Sequence, residues 1–195
     1  MNFSKNKILC SLLLSSTFSA HAAVDQDHLY VGLGLATGSG DEYYENSYTE
    51  TEYDLDQNQT EIKIGYQFPS QKRIEFSLTT IEAEVSNVDV EYSGMDVDWY
   101  FPFQLRDSKI QPFLGVGFGF YEYEDTSDLF QNGDNLDGIA INLMGGLFIP
   151  ASDRLEFELA YKNKTITWKT VEFNGQEIDS GVRLNSIVLA ARFKF

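Results

Sequence analysis

Eight stretches of this chain alternate apolar and non-apolar residues with a period of two, and helical spacing hardly occurs. That alternation sends successive side chains to opposite faces of a strand, so an all-β fold is the starting expectation. Residues 28–36 set Leu29, Val31, Leu33 and Leu35 against Tyr30, Gly32 and Gly34. Residues 60–68 set Ile62, Ile64, Tyr66 and Phe68 against Glu61, Lys63, Gly65 and Gln67. Six further strands are expected at residues 73–80, 94–101, 112–121, 138–148, 154–162 and 186–195. The non-apolar face is built of glycines and charges, whereas a soluble lipocalin-like barrel keeps its apolar face inside. An apolar exterior around a small polar lumen fits the pattern better.

The connections point the same way. Three joints are short (residues 69–72, 104–108 and 150–152) and take turns with four long ones at residues 37–59, 82–92, 122–137 and 163–183. Tight turns at one end and long loops at the other, with an even strand count, are the layout of an outer-membrane barrel. The beginning of the chain agrees. Lys5 and Lys7 precede an apolar run at residues 8–14, and Ala20-His21-Ala22 closes the segment, as in a secretory signal peptide. Residues 1–22 are expected to be cleaved and residues 23–195 to form the barrel. The one cysteine, Cys10, would leave with the signal, so no disulfide or thiolate site is expected. An exported chain with no apolar stretch long enough for a transmembrane helix can span a membrane only as a closed barrel.

The quoted stretches "YVGLGLA", "QPFLGVGFGFY", "RLEFELAYK" and the closing "ARFKF" resemble the small eight-stranded outer-membrane barrels, the group that includes the OmpA transmembrane domain and OmpX-type and opacity-type proteins. The resemblance implies an eight-stranded antiparallel up-and-down transmembrane β-barrel in the bacterial outer membrane. It implies outer-membrane lipid and lipopolysaccharide as surroundings, and a monomeric chain. It also implies that Phe193 and Phe195 form the signal read by the barrel-assembly machinery. With Phe195 as the expected end of the barrel, an anchoring role of the OmpA kind is not expected.

A lumen this narrow is filled by its own side chains, and charges inside it must be paired or hydrated. Two clusters are expected: Lys63 and Arg73 with Glu75 and Asp98, and Arg154 and Arg192 with Glu156 and Glu158. They would act as a static plug, or alternatively as part of a narrow porin-like channel for small ions or small hydrophobic solutes. Glycines at 32, 65, 115, 117 and 119 would make room for the long charged side chains.

Acids dominate elsewhere. The chain carries 30 Asp and Glu against 14 Lys and Arg, a formal charge of −16, so nucleic acid is not an expected partner. Acids without bases crowd the long connections, which suggests surface binding of divalent cations or a cationic partner, with Asp54, Asp56, Asp134 and Asp137 as candidate contacts. The run Asp54-x-Asp56-x-Asn58 departs from a calcium loop at Gln59 and Gly65, so no dedicated metal site is expected, and no cofactor. Catalysis on membrane lipid is expected to need a histidine base near the external rim. The two histidines are His21, in the signal, and His28, at the periplasmic start of the first strand. The expected protein is therefore not an enzyme, with lipid A modification as the least favoured alternative.

Overall fold

The computed structural model describes residues 28–45, 50–85, 88–106, 108–124, 136–173 and 176–195. The signal segment and Asp134 lie outside the described residues. The strands are β1 (His28–Glu45), β2 (Glu50–Gln67), β3 (Arg73–Val85), β4 (Val88–Pro102), β5 (Gln111–Glu124), β6 (Leu136–Pro150), β7 (Leu155–Trp168), β8 (Val171–Phe173) and β9 (Gln176–Lys194). All pairings are antiparallel, and β1 pairs with both β2 and β9. Eight strands thus close into a barrel, while β8 forms only a short hairpin edge on the start of β9. The seam places Val31 opposite Phe193, and the Phe195 amide donates to the Leu29 carbonyl at 3.0 Å. No edge of the barrel is left open to other chains.

Alternation decides which way each side chain points. Leu33, Leu35, Ile62, Leu114, Ile141 and Leu189 are exposed on the outer wall, as lipid-facing residues should be. Each spanning strand carries such an apolar stretch on its outer face, as tilted strands crossing a hydrocarbon core require. Phe193 and Phe195 sit at its lower edge with ring centroids 5.4 Å apart, and Tyr66 and Phe68 stack edge-on at 4.9 Å. Below this aromatic edge are the tight turns, where Lys72, Arg106 and Lys109 are exposed. Gln71 turns the chain between β2 and β3 with a positive φ of 66°.

The long connections differ from expectation. Most of residues 37–59, 82–92 and 163–183 are strand, not loop: β1 and β2 each run for 18 residues and β9 for 19. Beyond Leu35 the outer face turns polar (Thr37, Ser39, Asp41), yet pairing continues to Glu45. The nine residues from 37 to 45 carry the barrel roughly 20 Å past the apolar band. The reason lies inside. Leu55, Ile81, Val85, Tyr92, Tyr121, Ile166, Trp168, Val182 and Leu184 pack into one buried apolar cluster within this extension. Burial of that cluster holds together a part of the sheet whose outer face is hydrophilic.

Candidate functional site

Two regions gather the polar residues: the lumen at membrane depth and the outer wall of the extension.

In the lumen, parity sends Glu61, Glu75, Asp96, Asp98, Glu156 and Glu158 inward, together with Lys63, Arg73, Lys162, Lys164, Arg192 and Lys194. All are buried except Lys194, which is half-buried at the periplasmic mouth. They form chains of alternating charge. From the mouth upward, Lys194 Nζ lies 2.8 Å from Glu156 Oε2, and Arg73 holds both oxygens of Glu156. Arg192 bridges Glu75 (Nε–Oε2 2.8 Å) and Glu158 (Nη2–Oε2 2.6 Å). Lys63 joins Glu75 at 3.1 Å to Glu61 at 2.7 Å. Lys162 then links Glu61 at 3.2 Å to Asp98 at 3.3 Å, and Lys164 meets Asp96 at 2.9 Å. Neutral donors complete the shell: Tyr100 donates to Glu75, Tyr121 and Thr79 to Asp96, and Asn142 to both Asp96 and Asp98. Six carboxylates against six cations make this interior formally neutral.

Aromatic rings seal the lower storey. The Arg73 guanidinium lies 3.8 Å from the centroid of Phe148, with Arg192 at 5.0 Å from the same ring. Phe113 stacks on Phe148 at 4.2 Å. Such planar cations over rings gain attraction beyond their ion pairs. Two glycines fit this packing: a side chain at Gly65 would collide with the Tyr30 ring, and one at Gly117 with the Asp98 carboxylate. The spaces therefore hold a tyrosine and an aspartate, where longer charged chains were expected.

The expected clusters are rearranged. Arg73 pairs across the bore with Glu156, not with its strand neighbour Glu75. Arg192, expected with Glu156 and Glu158, joins Glu158 to Glu75. Asp98 is held by Lys162. Arg154 lies in the turn before β7, only half-buried, outside the buried chain of charges. The bore is narrow enough for a long side chain to cross it, so partners come from opposite walls. Lys164, expected in a loop, belongs to the lumen because β7 continues past Lys162 with unbroken parity.

On the outer wall of the extension, register puts acids directly opposite acids. Asp41 faces Asp54, Asp56 faces Glu84, Glu84 faces Asp89, Glu82 faces Glu91, and Glu122 faces Asp137. Asp54 and Asp56 line a groove of about 480 Å³ with Asp41 and Glu84. Asp137 is elsewhere, in a groove of about 790 Å³ with Glu122 and Lys169 above Met95, Phe120 and Ile139. Among the described residues no group of three or more His, Cys, Asp and Glu is arranged to hold a metal ion.

A profile for the outer membrane protein beta-barrel domain matches residues 9–195. The chain belongs to this outer-membrane β-barrel family, and its place is the bacterial outer membrane. No curated protein matches it significantly. Solved structures of similar fold include Neisserial surface protein A (14% identity, 86% of this chain and 97% of that one, TM-score 0.54). Others are AlkL (12%, 93% and 96%, TM-score 0.58) and outer membrane protein W of E. coli (12%, 88% and 99%, TM-score 0.54). At these identities the likeness concerns the fold alone.

Proposed function

We propose that this member of the barrel family is a monomeric, non-enzymatic envelope protein that works through its outer surface, with the lumen closed by its own side chains. The carrying observation is the acid-on-acid register of the extension. Like charges directly opposite on a sheet destabilise it, by up to about 1 kcal/mol per pair. Five such pairs on one wall are relieved when divalent cations, or a cationic partner, sit between them. The wall rises from the edge of the apolar band, where lipopolysaccharide phosphates would share the same cations. Full burial of Arg73, Arg192, Tyr100, Tyr121 and Lys164 supports the closed lumen. His28, at the far mouth from the outer leaflet, supports a non-enzymatic reading.

The test is thermal unfolding of refolded protein, followed by heat-modifiable gel mobility, with and without magnesium. Magnesium is expected to raise the midpoint more than sodium at equal ionic strength. Most of that difference should vanish in the triple variant Glu84→Gln, Glu91→Gln, Glu122→Gln. Equal effects of the two salts on both proteins would refute a cation-binding wall.

A narrow transport route is the second reading, favoured by the apolar lining of the upper lumen, which suits small hydrophobic solutes. Reproducible conductance steps in planar bilayers would favour an ionic route.

A further inference from the structure

The turn between β4 and β5 carries a surface that neither the lumen nor the acidic wall uses. It spans residues 103–110 and is the longest of the three tight turns. Parity along β4 keeps Trp99 and Phe101 on the lipid-facing wall and sends Phe103 the same way. The Phe103 amide donates to the Pro112 carbonyl at 2.7 Å, so the hairpin continues past the end of β4. Phe103, Leu105 and Ile110 are 49, 49 and 40% exposed. The neighbouring β2–β3 hairpin has already turned at this level. Ile74 faces Trp99, and Lys72 lies against Phe101 with its ammonium 5.9 Å from the ring centroid. The three apolar side chains therefore project beyond the turn beside them. The turn is tied by its own hydrogen bonds: the Ser108 amide donates to the Leu105 carbonyl at 3.4 Å, and the Ile110 amide to the Ser108 hydroxyl at 3.0 Å.

Three large apolar groups held outward by an ordered turn mark an interaction surface. Their surroundings specify the partner. Lys72, Arg106 and Lys109 are exposed around them, and Asp107 is the single acid in the sequence of the two turns. That surplus of base is out of keeping with a chain whose formal charge is −16. Apolar residues ringed by bases are the pattern of a segment lying at a lipid interface. There the stems of Lys and Arg run along acyl chains and their heads reach phosphate. The turn is continuous with the lipid-facing wall and lies at the end opposite the acidic extension. A zwitterionic head group brings its own ammonium to compete with these cations, whereas an anionic one leaves its phosphate charge to them.

We propose that the β4–β5 turn, with Lys72 beside it, is a docking surface for an anionic phospholipid of the periplasmic leaflet. Its acyl chains lie on Phe103, Leu105 and Ile110, and its phosphate sits among Lys72, Arg106 and Lys109. This surface is separate from the cation-binding wall and stands or falls without it.

Trp99 reports on the surface from within the bilayer. It is exposed on the wall just above Phe101, whereas Trp168, the other tryptophan, is buried and faces the bore. Brominated acyl chains therefore quench Trp99 selectively. The full chain is refolded into vesicles of phosphatidylcholine and phosphatidylglycerol, with one or the other lipid brominated at a fixed composition. Both leaflets are alike, so the orientation of the inserted barrel does not matter. Phosphatidylglycerol is expected beside Trp99 at about fivefold its share of the bilayer. The triple variant Lys72→Gln, Arg106→Gln, Lys109→Gln should bring it down to that share. Arg154→Gln, in the turn before β7 on the other side of the barrel, should leave the enrichment unchanged. Heat-modifiable mobility shows that each variant is folded. Should the triple variant not fold, Lys109→Gln alone is expected to lower the enrichment about twofold. No enrichment in the parent protein, an enrichment that survives loss of the bases, or an equal loss in Arg154→Gln would each overturn the proposal.

Discussion

Arg73 shows what a single residue contributes to this lumen. Its guanidinium grips Glu156 on the opposite wall and sits over the Phe148 ring, while Lys194 supports the same carboxylate. Removing one partner of a buried pair leaves an uncompensated charge, which costs about 3–5 kcal/mol. Because Lys194 stays beside Glu156, Arg73→Met is expected to lower stability in urea titrations of refolded protein by less than that full amount. The double change Arg73→Met with Glu156→Leu should recover most of the loss, because an apolar pair no longer buries a lone charge. A double variant no more stable than the single one would mean that packing, not charge, is what Arg73 supplies. Parity alone told which face of β3 this residue occupies. It could not tell which strand lies across the bore, and so the sequence pointed to Glu75 instead of Glu156.

Glu42 behaves in the opposite sense. Its folded-state pKa is raised, chiefly by burial. Below the ordinary carboxylate range it is protonated both folded and unfolded and contributes no penalty. As pH rises through that range the unfolded chain ionises first, and the penalty grows until pH passes the raised folded value. Glu42→Gln is thus expected to match the parent protein in acid and to exceed it in stability towards neutral pH. Parallel stability curves for the two proteins from acid to neutral pH would contradict this assignment.

At the scale of the strand, the membrane-spanning halves were legible and the outer halves were not. In β2 the apolar residues Ile62 and Ile64 announce one face. Further out, Asp54, Asp56 and Asn58 replace them, and the inward Gln57 and Gln59 are polar too. With both faces hydrophilic, the period-two signal disappears although the backbone pairing does not. The buried hydrogen bonds of Gln57 and Gln59 with Ser186 show what holds these positions. Leu55, Ile81 and Val85 keep the inward parity, but isolated apolar residues among acids read as loop. Hydrogen exchange separates the two descriptions. Amides of residues 50–60 should be protected far longer than those of the exposed 104–106 turn, although both lie outside the apolar band. Rapid exchange throughout residues 50–60 would mean that the extension is loop after all.

At the scale of the molecule, a crowded interior that is formally neutral at membrane depth sits inside a shell whose outer wall is strongly acidic. Composition announced the excess of acid but not its location. At membrane depth six inward carboxylates are matched by six inward cations, and with Glu42 the one further buried acid among the described residues, most of the imbalance lies on the outer face. Binary alternation, turn lengths and the polar inner face were enough to anticipate the number of strands and the closed ring. The arrangement of charge depended on distances across the bore and stayed hidden until the walls were in place.

The seam between β1 and β9 has a consequence for how the protein reaches its membrane. Arg73 with Glu156 joins β3 to β7, and Arg192 with Glu75 joins β9 to β3, so both pairs reach across the bore and need the sheet to curl on itself. An open sheet would keep these cross-bore pairs apart and leave Arg73 unpaired at high cost, while Lys63 with Glu61 and Glu75, Arg192 with Glu158 and Lys194 with Glu156 pair within or between neighbouring strands. The bilayer thereby favours the completed ring, in which the links across the bore have found their partners.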